Sequence, residues 1–324
     1  LDADEGTVTL TLREDASVSN SNVAKITRDD VVLDGAGYQL DLNATDCSGN
    51  GALLVSGDNV TVRNITVISD SDTASVAGIK VTKIDDPASN KVENVVLENV
   101  TVIRNNAGHA VDLNGVNVAT VDGLVLENYV KTGIAVSNAS NVTITNTEFM
   151  VTSGAWGDIG LMGSNNSLIT VGTGNVFGMN LIYSEDANLT PESPISQVIE
   201  VSDEYGFDVF TRYENGNPAG VIIGNIVATV GDKAYGNIVD AIVNSNGEEV
   251  VLTQDVTLSA ATFPLSADGN TTNIGLSGYE MTVNVQGTTA LAQEGESLTI
   301  TGGDLNVNFP TVRGTSAVFA VKKG

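Results

Sequence analysis

The chain has 324 residues, 40 of them acidic and 14 basic, for a formal net charge of -26. Such a surface repels nucleic acid and anionic membranes, which sets both aside as partners. Hydrophobic residues make up 41% but aromatics only 5%, so the apolar mass is mostly Val, Ile, Leu and Ala, suited to a narrow repetitive interior.

In chain order, the first strong signal is "DVVLDGAGYQL" from Asp30. Related stretches follow: "NVTVRNITVIS" from Asn59, "NVVLENVTVIR" from Asn94, "VATVDGLVL" from Val118, "NVTITNTEF" from Asn141 and "NSLITVGTG" from Asn166. The unit is Asn, then apolar residues at alternate positions, with a second Asn (Asn64, Asn99, Asn146) five places on. From Asn94 onward the units recur roughly every two dozen residues, within the range of solenoid repeats. The longer intervals carry visible insertions, "DSDTASVAG" from Asp70 and "IDDPASNK" from Ile84. A shorter strand signal precedes several units: "GALLVS" from Gly51, "GIKVTK" from Gly78, "GHAVDL" from Gly108 and "GIAVSN" from Gly133. Alternation over four or five residues between Gly, Asn and Asp bends predicts strands, not helices.

One turn of about two dozen residues cannot bury its apolar side alone. Stacking turns at the strand spacing of about 4.8 Å pairs each strand in parallel with its equivalents above and below. Inward positions then form apolar ladders, and Asn at the corners tolerates left-handed backbone angles. The repeated stretch is the wall of a coil and the variable stretches are loops thrown out from its corners. The pattern resembles the right-handed parallel β-helix proteins of the pectate-lyase-like type, over roughly residues 7–186. That resemblance implies a scaffold, not an activity.

Residues 187–226 break the repeat with Pro191, Pro194, Pro218 and the aromatics Tyr205, Phe207, Phe210 and Tyr213. They read as a connector with short strands, hairpin-like. Ala234 to Asn244 is the one convincing helix candidate, with Ile238, Ala241 and Ile242 on one side. Beyond it the chain repeats its own beginning: "LTLREDASVS" from Leu10 matches "VVLTQDVTLS" from Val250, and "LDGAGYQLDLN" from Leu33 matches "IGLSGYEMTVN" from Ile274. Asp15 falls on Asp255 and Gly37–Tyr38 on Gly278–Tyr279. The expected organisation is an all-β, right-handed parallel β-helix in two segments, 1–186 and 227–324, joined by the connector and carrying one short capping helix. The stretch "VATVGDKAY…IVDAI…GEEVVLTQDVTL" resembles repeats of large microbial surface proteins, including adhesin-like ones. It implies an extracellular, multi-module setting in which a short helix caps the first coil.

Several residues carry candidate chemistry. Asp85–Asp86, then His109 and Asp112 in "GHAVD", then Lys131 in "YVKTG" follow the order of a polygalacturonase pattern. The first motif of that pattern is missing, Ala110 replaces its second Gly, and its Arg is absent. Paired carboxylates serve general acid and base roles in glycoside hydrolysis. Arg63 and Arg104, read as equivalent positions of successive units, are candidate bases for a polysaccharide lyase. Ser69 to Asp72, "SDSD", offers oxygen ligands for a weak Ca²⁺ site, but without the spacing of a known loop. No Gly-x-Ser-x-Gly accompanies the single histidine. Trp156, the only tryptophan, is either partly buried against the coil or a platform for a sugar. Cys47 has no second cysteine to pair with, so it is an idle or interchain thiol. Asn-x-Ser/Thr sequons at Asn43, Asn59, Asn64, Asn99, Asn138, Asn141, Asn165, Asn188 and Asn270 permit glycosylation in a secretory setting.

These patterns single out no catalytic residue, metal or cofactor. No apolar run reaches the roughly 18 residues of a membrane span. The start at Leu1, with no visible signal peptide, reads as a mature form or an excised piece. The expectation is a non-enzymatic extracellular cell-surface protein: a stiff acidic rod, either self-assembling into a sheath, surface layer or filament, or serving as an adhesin or stalk module. In the adhesin version, loops 70–77 and 84–91 meet a glycan or protein. In the self-assembling version, open coils near Val8–Leu12 and Val318–Val321 stack head to tail. An acidic-polysaccharide hydrolase or lyase is the enzymatic alternative.

Overall fold

A computed structural model describes residues 6–19, 24–43, 51–71, 76–83, 87–105, 107–150, 155–179, 181–214, 217–231, 233–236, 238–260, 271–285 and 297–308. The chain divides into two compact units, Leu1–Gly206 and Phe207–Gly324. It is nearly all β and forms a parallel β-solenoid with one small helix.

In the first unit, one sheet runs through Val8–Thr11, Val31–Asp34, Val60–Ser69, Val95–Arg104, Val118–Asp122, Asn141–Thr145, Leu168–Val171 and Ile199–Val201. Each strand pairs in parallel with the next. A second sheet runs through Ala24–Ile26, Gly51–Val55, Ala77–Val81, Val111–Asn114, Thr132–Ser137, Gly157–Leu161 and Leu181–Ser184, also parallel. Stacking continues to Val201, past residue 186, because Ile199–Val201 lies in register on Ile169–Val171.

The long strands show how the sequence makes a coil. In Val60–Ser69 the buried positions are Val60 and Val62, then Ile65, Val67 and Ser69. Strict alternation would bury residue 64 and expose residue 65. Asn64, at φ 50°, takes the extra step that resets the phase, and Asn99, at φ 51°, does the same one coil on. Asn tolerates this left-handed geometry because its short polar side chain bonds locally. The buried residues then stack like on like: Val60 on Val95, Val62 on Leu97, Ile65 on Val100, Val67 on Val102. Each such aliphatic side chain taken out of water contributes about 1.5–3 kcal/mol.

Corner side chains bond along the stack. Asn59 Nδ2 donates to Asp30 Oδ1 at 3.0 Å, and Asn94 Nδ2 donates to Asn59 Oδ1 at 3.3 Å. A second ladder links Asn165, Asn138 and Asn114 at 3.3 and 3.0 Å. Buried Asn175 closes a corner from inside: its Oδ1 accepts from Thr147 N, and its Nδ2 donates to Ile144 O and Gly172 O.

The second unit opens with an antiparallel hairpin, Asp208–Glu214 with Asn217–Gly224. Ala228–Val230 then pairs antiparallel with Lys233–Tyr235 and with Glu249–Leu252. From there stacking is parallel again, through Thr271–Gly275 and Ser297–Thr301 on one sheet and Val256–Ala260, Glu280–Val285 and Asp304–Asn308 on the other. The helix spans Ile238–Val243, later than the expected start at Ala234, because Lys233–Tyr235 is committed to the hairpin. Its buried face is Ile238, Ala241 and Ile242, in one cluster with Val230, Val250 and Leu258.

The internal match of the two segments is structural as well as textual. Asp15 Oδ1 accepts from Gln39 N at 2.9 Å, and Asp255 Oδ1 accepts from Glu280 N at 2.8 Å. Gly37 and Gly278 sit at φ 88° and 92°, and the Tyr38 and Tyr279 amides each donate to the carbonyl three residues back at 2.8 Å.

Candidate functional site

The stacking register gathers residues that lie far apart in sequence. Val111 pairs with Ile134, and Thr132 pairs with Gly157, so the residues leading into three successive strands fall side by side. These are His109, Lys131 and Trp156. The Trp156 amide donates to Lys131 O at 2.6 Å, which fixes the two together. Lys131 Nζ sits 5.1 Å from the centre of the indole, within cation–π range. The His109 ring meets the indole at right angles, with centroids 6.2 Å apart. Trp156 is 51% exposed, so it is at once packed on the coil and open to solvent.

Behind this group, Lys80 and Asp112 face each other across paired strands and close an ion pair at 3.1 Å. Their side chains are 15% and 18% exposed. Burial holds the His109 imidazole down to about 4; Asp112 opposes this, while Lys131, Arg104 and Lys80 add to it. His109 is therefore neutral at pH 7, and its buried Nδ1 has no hydrogen-bond partner among the described residues. The assembled chemistry is one exposed indole, one ammonium on its ring, one neutral imidazole and one carboxylate already paired.

Of the residues expected to form a polygalacturonase-like set, His109, Asp112 and Lys131 come together. Asp85 and Asp86 lie outside the described residues. The lyase reading of the arginines needs a correction: they are not equivalent. Arg63 stands opposite Glu98, whereas Arg104 stands opposite Ser69. Arg63 pairs with Asp34 at 3.0 Å, and the Asp34 carboxyl lies below its ordinary value, held first by the Ala36 amide and then by Asn64 and Arg63 against the effect of burial. Arg104 is buried, 2% exposed. It donates to Ala107 O, Ser71 O and Val76 O at 2.9, 3.2 and 3.0 Å, and to Ser69 Oγ. Its guanidinium ties a corner to the loop thrown out of it.

For the Ca²⁺ expectation, Ser69 and Ser71 are buried and Ser69 is engaged by Arg104, while Asp72 lies outside the described residues. No group of three metal-ligating side chains occurs among the described residues. Asp41 sits near Asp70, and its carboxyl is raised, by burial first and by Asp70 second. Cys47, Asn270 and Val318–Val321 also lie outside the described residues. Of loops 70–77 and 84–91, only residues 70, 71, 76, 77 and 87–91 are described. No helix among the described residues is long and apolar enough to cross a membrane.

Sequence reasoning missed one charged centre. Asp158 is 0% exposed. Its carboxylate accepts from Tyr129 Oη at 3.1 Å and from the amides of Gly178, Met179 and Leu181 at 3.2, 2.9 and 3.2 Å. Burial raises its carboxyl, and these donors pull it back. "SGAWGDIG" carries a clue, since an acid inside an apolar strand signal demands partners. Those partners lie a coil away.

No family model matches the chain, and no curated protein or solved structure matches it.

Proposed function

We propose that this chain is a non-enzymatic structural module of an extracellular cell-surface protein, a parallel β-solenoid that associates with copies of itself into a sheath, surface layer or filament. The observation that carries this reading is the use made of the groups that chemistry would need. Arg104 is buried in a loop anchor, Arg63 is paired with Asp34, and Asp112 is paired with Lys80. Glycoside hydrolysis commonly needs two carboxylates flanking the bond, one of them kept protonated. At the His109 group the described carboxylate is Asp112, and it faces a lysine at 3.1 Å. The likeness to pectate-lyase-like and adhesin-like proteins belongs to this reading as a likeness of scaffold. A surface of net charge -26 supports solubility at high local concentration.

The test has two arms. Negative-stain electron microscopy over a concentration series is expected to show ordered assemblies. Incubation with acidic polysaccharides is expected to release neither unsaturated products nor reducing ends. Product release that disappears in His109→Ala would overturn the reading in favour of an enzyme.

A further inference from the structure

We propose that Trp156 and Lys131 form a docking site for an acidic segment of a second copy of this chain. The inference rests on the structural reading and names its contact.

The first ground is charge. Acidic residues outnumber basic ones 40 to 14, yet Lys131 makes no ion pair among the described residues. Its ammonium rests on an indole instead. Three cations, Lys131, Arg104 and Lys80, and one carboxylate, Asp112, bear on His109 between them. Lys80 is paired with Asp112 and Arg104 is buried, so among the described residues near His109 it is Lys131 that is left to meet one of the acidic segments any second copy presents in excess.

The second ground is the aromatic. An exposed tryptophan is the kind of side chain in which binding energy at protein interfaces concentrates. The hydrogen bond from the Trp156 amide to Lys131 O holds the backbone of both residues at the entries to stacked strands, so little ordering of the backbone remains to be done on contact.

The third ground separates a polypeptide from a sugar. A pyranose stacks flat on an aromatic face. Here an ammonium lies over the indole and an imidazole meets it at 85°. What the site offers outward is a positive charge seated on a ring, which suits a carboxylate on a flexible segment. The patch and the acidic segments are different surfaces of one chain, so the contact is heterologous and propagates unless a rotation closes it.

Ionic strength gives the contact a signature. Two chains of net charge -26 repel at long range, and salt screens that repulsion first. At about 0.15 M salt the Debye length is about 8 Å, so a contact of a few ångströms survives. At about 1 M it falls to about 3 Å and the contact weakens. Association is therefore strongest at intermediate salt, whereas a purely apolar contact strengthens throughout.

The experiment is sedimentation of the full chain over concentration at low, intermediate and high salt, with fluorescence of Trp156, the only tryptophan, as a local reporter. The wild type is expected to associate with a maximum at intermediate salt and a concentration-dependent change in Trp156 emission. Lys131→Glu and Trp156→Ala are each expected to weaken association at least about tenfold. Lys131→Gln, which keeps the stem, is expected to weaken it less. Unchanged far-ultraviolet circular dichroism of the variants establishes that they fold. Wild-type association that the variants do not weaken overturns this site but leaves the structural reading standing. A wild type that stays monomeric at every concentration and salt overturns both. Emission that answers to an oligogalacturonate or a neutral oligosaccharide, and not to protein concentration, overturns the proposal in favour of a glycan.

Discussion

The hydroxyl of Tyr129 donates to the buried carboxylate of Asp158 at 3.1 Å, across a sequence separation of 29 residues. The pair joins one coil to the next through the interior, where the amides of Gly178, Met179 and Leu181 complete the acceptor's partners. Removing the carboxylate leaves Tyr129 Oη and the Leu181 amide buried without this acceptor, at about 1–3 kcal/mol each, while the part-buried Gly178 and Met179 amides cost less. Asp158→Ala is expected to cost several kcal/mol in urea unfolding, and Tyr129→Phe about 1 kcal/mol. A near-neutral Asp158→Ala would show that the Gly178–Leu181 turn finds other acceptors.

The solitary histidine sets a pH dependence. His109 falls from 6.5 to about 4 on folding, so the unfolded chain takes up its proton first as pH drops. Its contribution is fully present above pH 6.5 and is lost as pH falls toward about 4, by up to about 3 kcal/mol. His109→Gln is expected to flatten this part of the stability profile relative to the wild type. Parallel profiles for the two proteins between pH 6.5 and 4 would count against burial of the neutral ring.

The corner asparagines separate backbone strain from ladder bonding. Asn59 sits at φ 54° and bonds to Asp30 and Asn94. Asn59→Gly keeps the angle and loses the ladder; Asn59→Ala loses both. The alanine variant is expected to be less stable than the glycine variant by about 1 kcal/mol, the left-handed cost of a Cβ. Thermal unfolding of the two side by side checks this, and equal stability would place the worth of Asn59 in its side chain alone.

A fourth expectation concerns close approach. Gly108 lies at φ 58°, and a Cβ there would come within 2.1 Å of Val76 O. Gly108→Ala is expected to destabilise the chain by more than the roughly 1 kcal/mol of backbone strain alone and to disturb the neighbouring Trp156 emission. Gly37 has a similar angle but open space around it. Gly37→Ala is therefore the control, expected to show the strain without the clash.

The coil was legible because its two requirements are local. Alternating β-branched residues mark the walls, and Asn64 and Asn99 mark the phase reset between them. The second start was legible because Asp255 and Gly278 keep the jobs of Asp15 and Gly37. The helix was placed early because its face of Ile238, Ala241 and Ile242 is readable while the competing pairing of Lys233–Tyr235 is not. The place of Trp156 beside His109 and Lys131 lay beyond reach for the same reason that misaligned Arg63 and Arg104. Which residues meet depends on the register between coils, and insertions of unequal length hide that register in the sequence.

The left-handed corners have one more consequence. Each coil rests only on the coil before and the coil after, and the return path is short where no loop intervenes: Thr145 bonds to Asp122, 23 residues earlier. Excising or duplicating one such complete return leaves the flanking faces matched, since Val118 and Asn141 occupy the same place in the stack. Length is thus quantised in this architecture. A lineage can grow or shorten such a protein by whole steps of its staircase, while a change of a single residue within a strand would turn its lining outward.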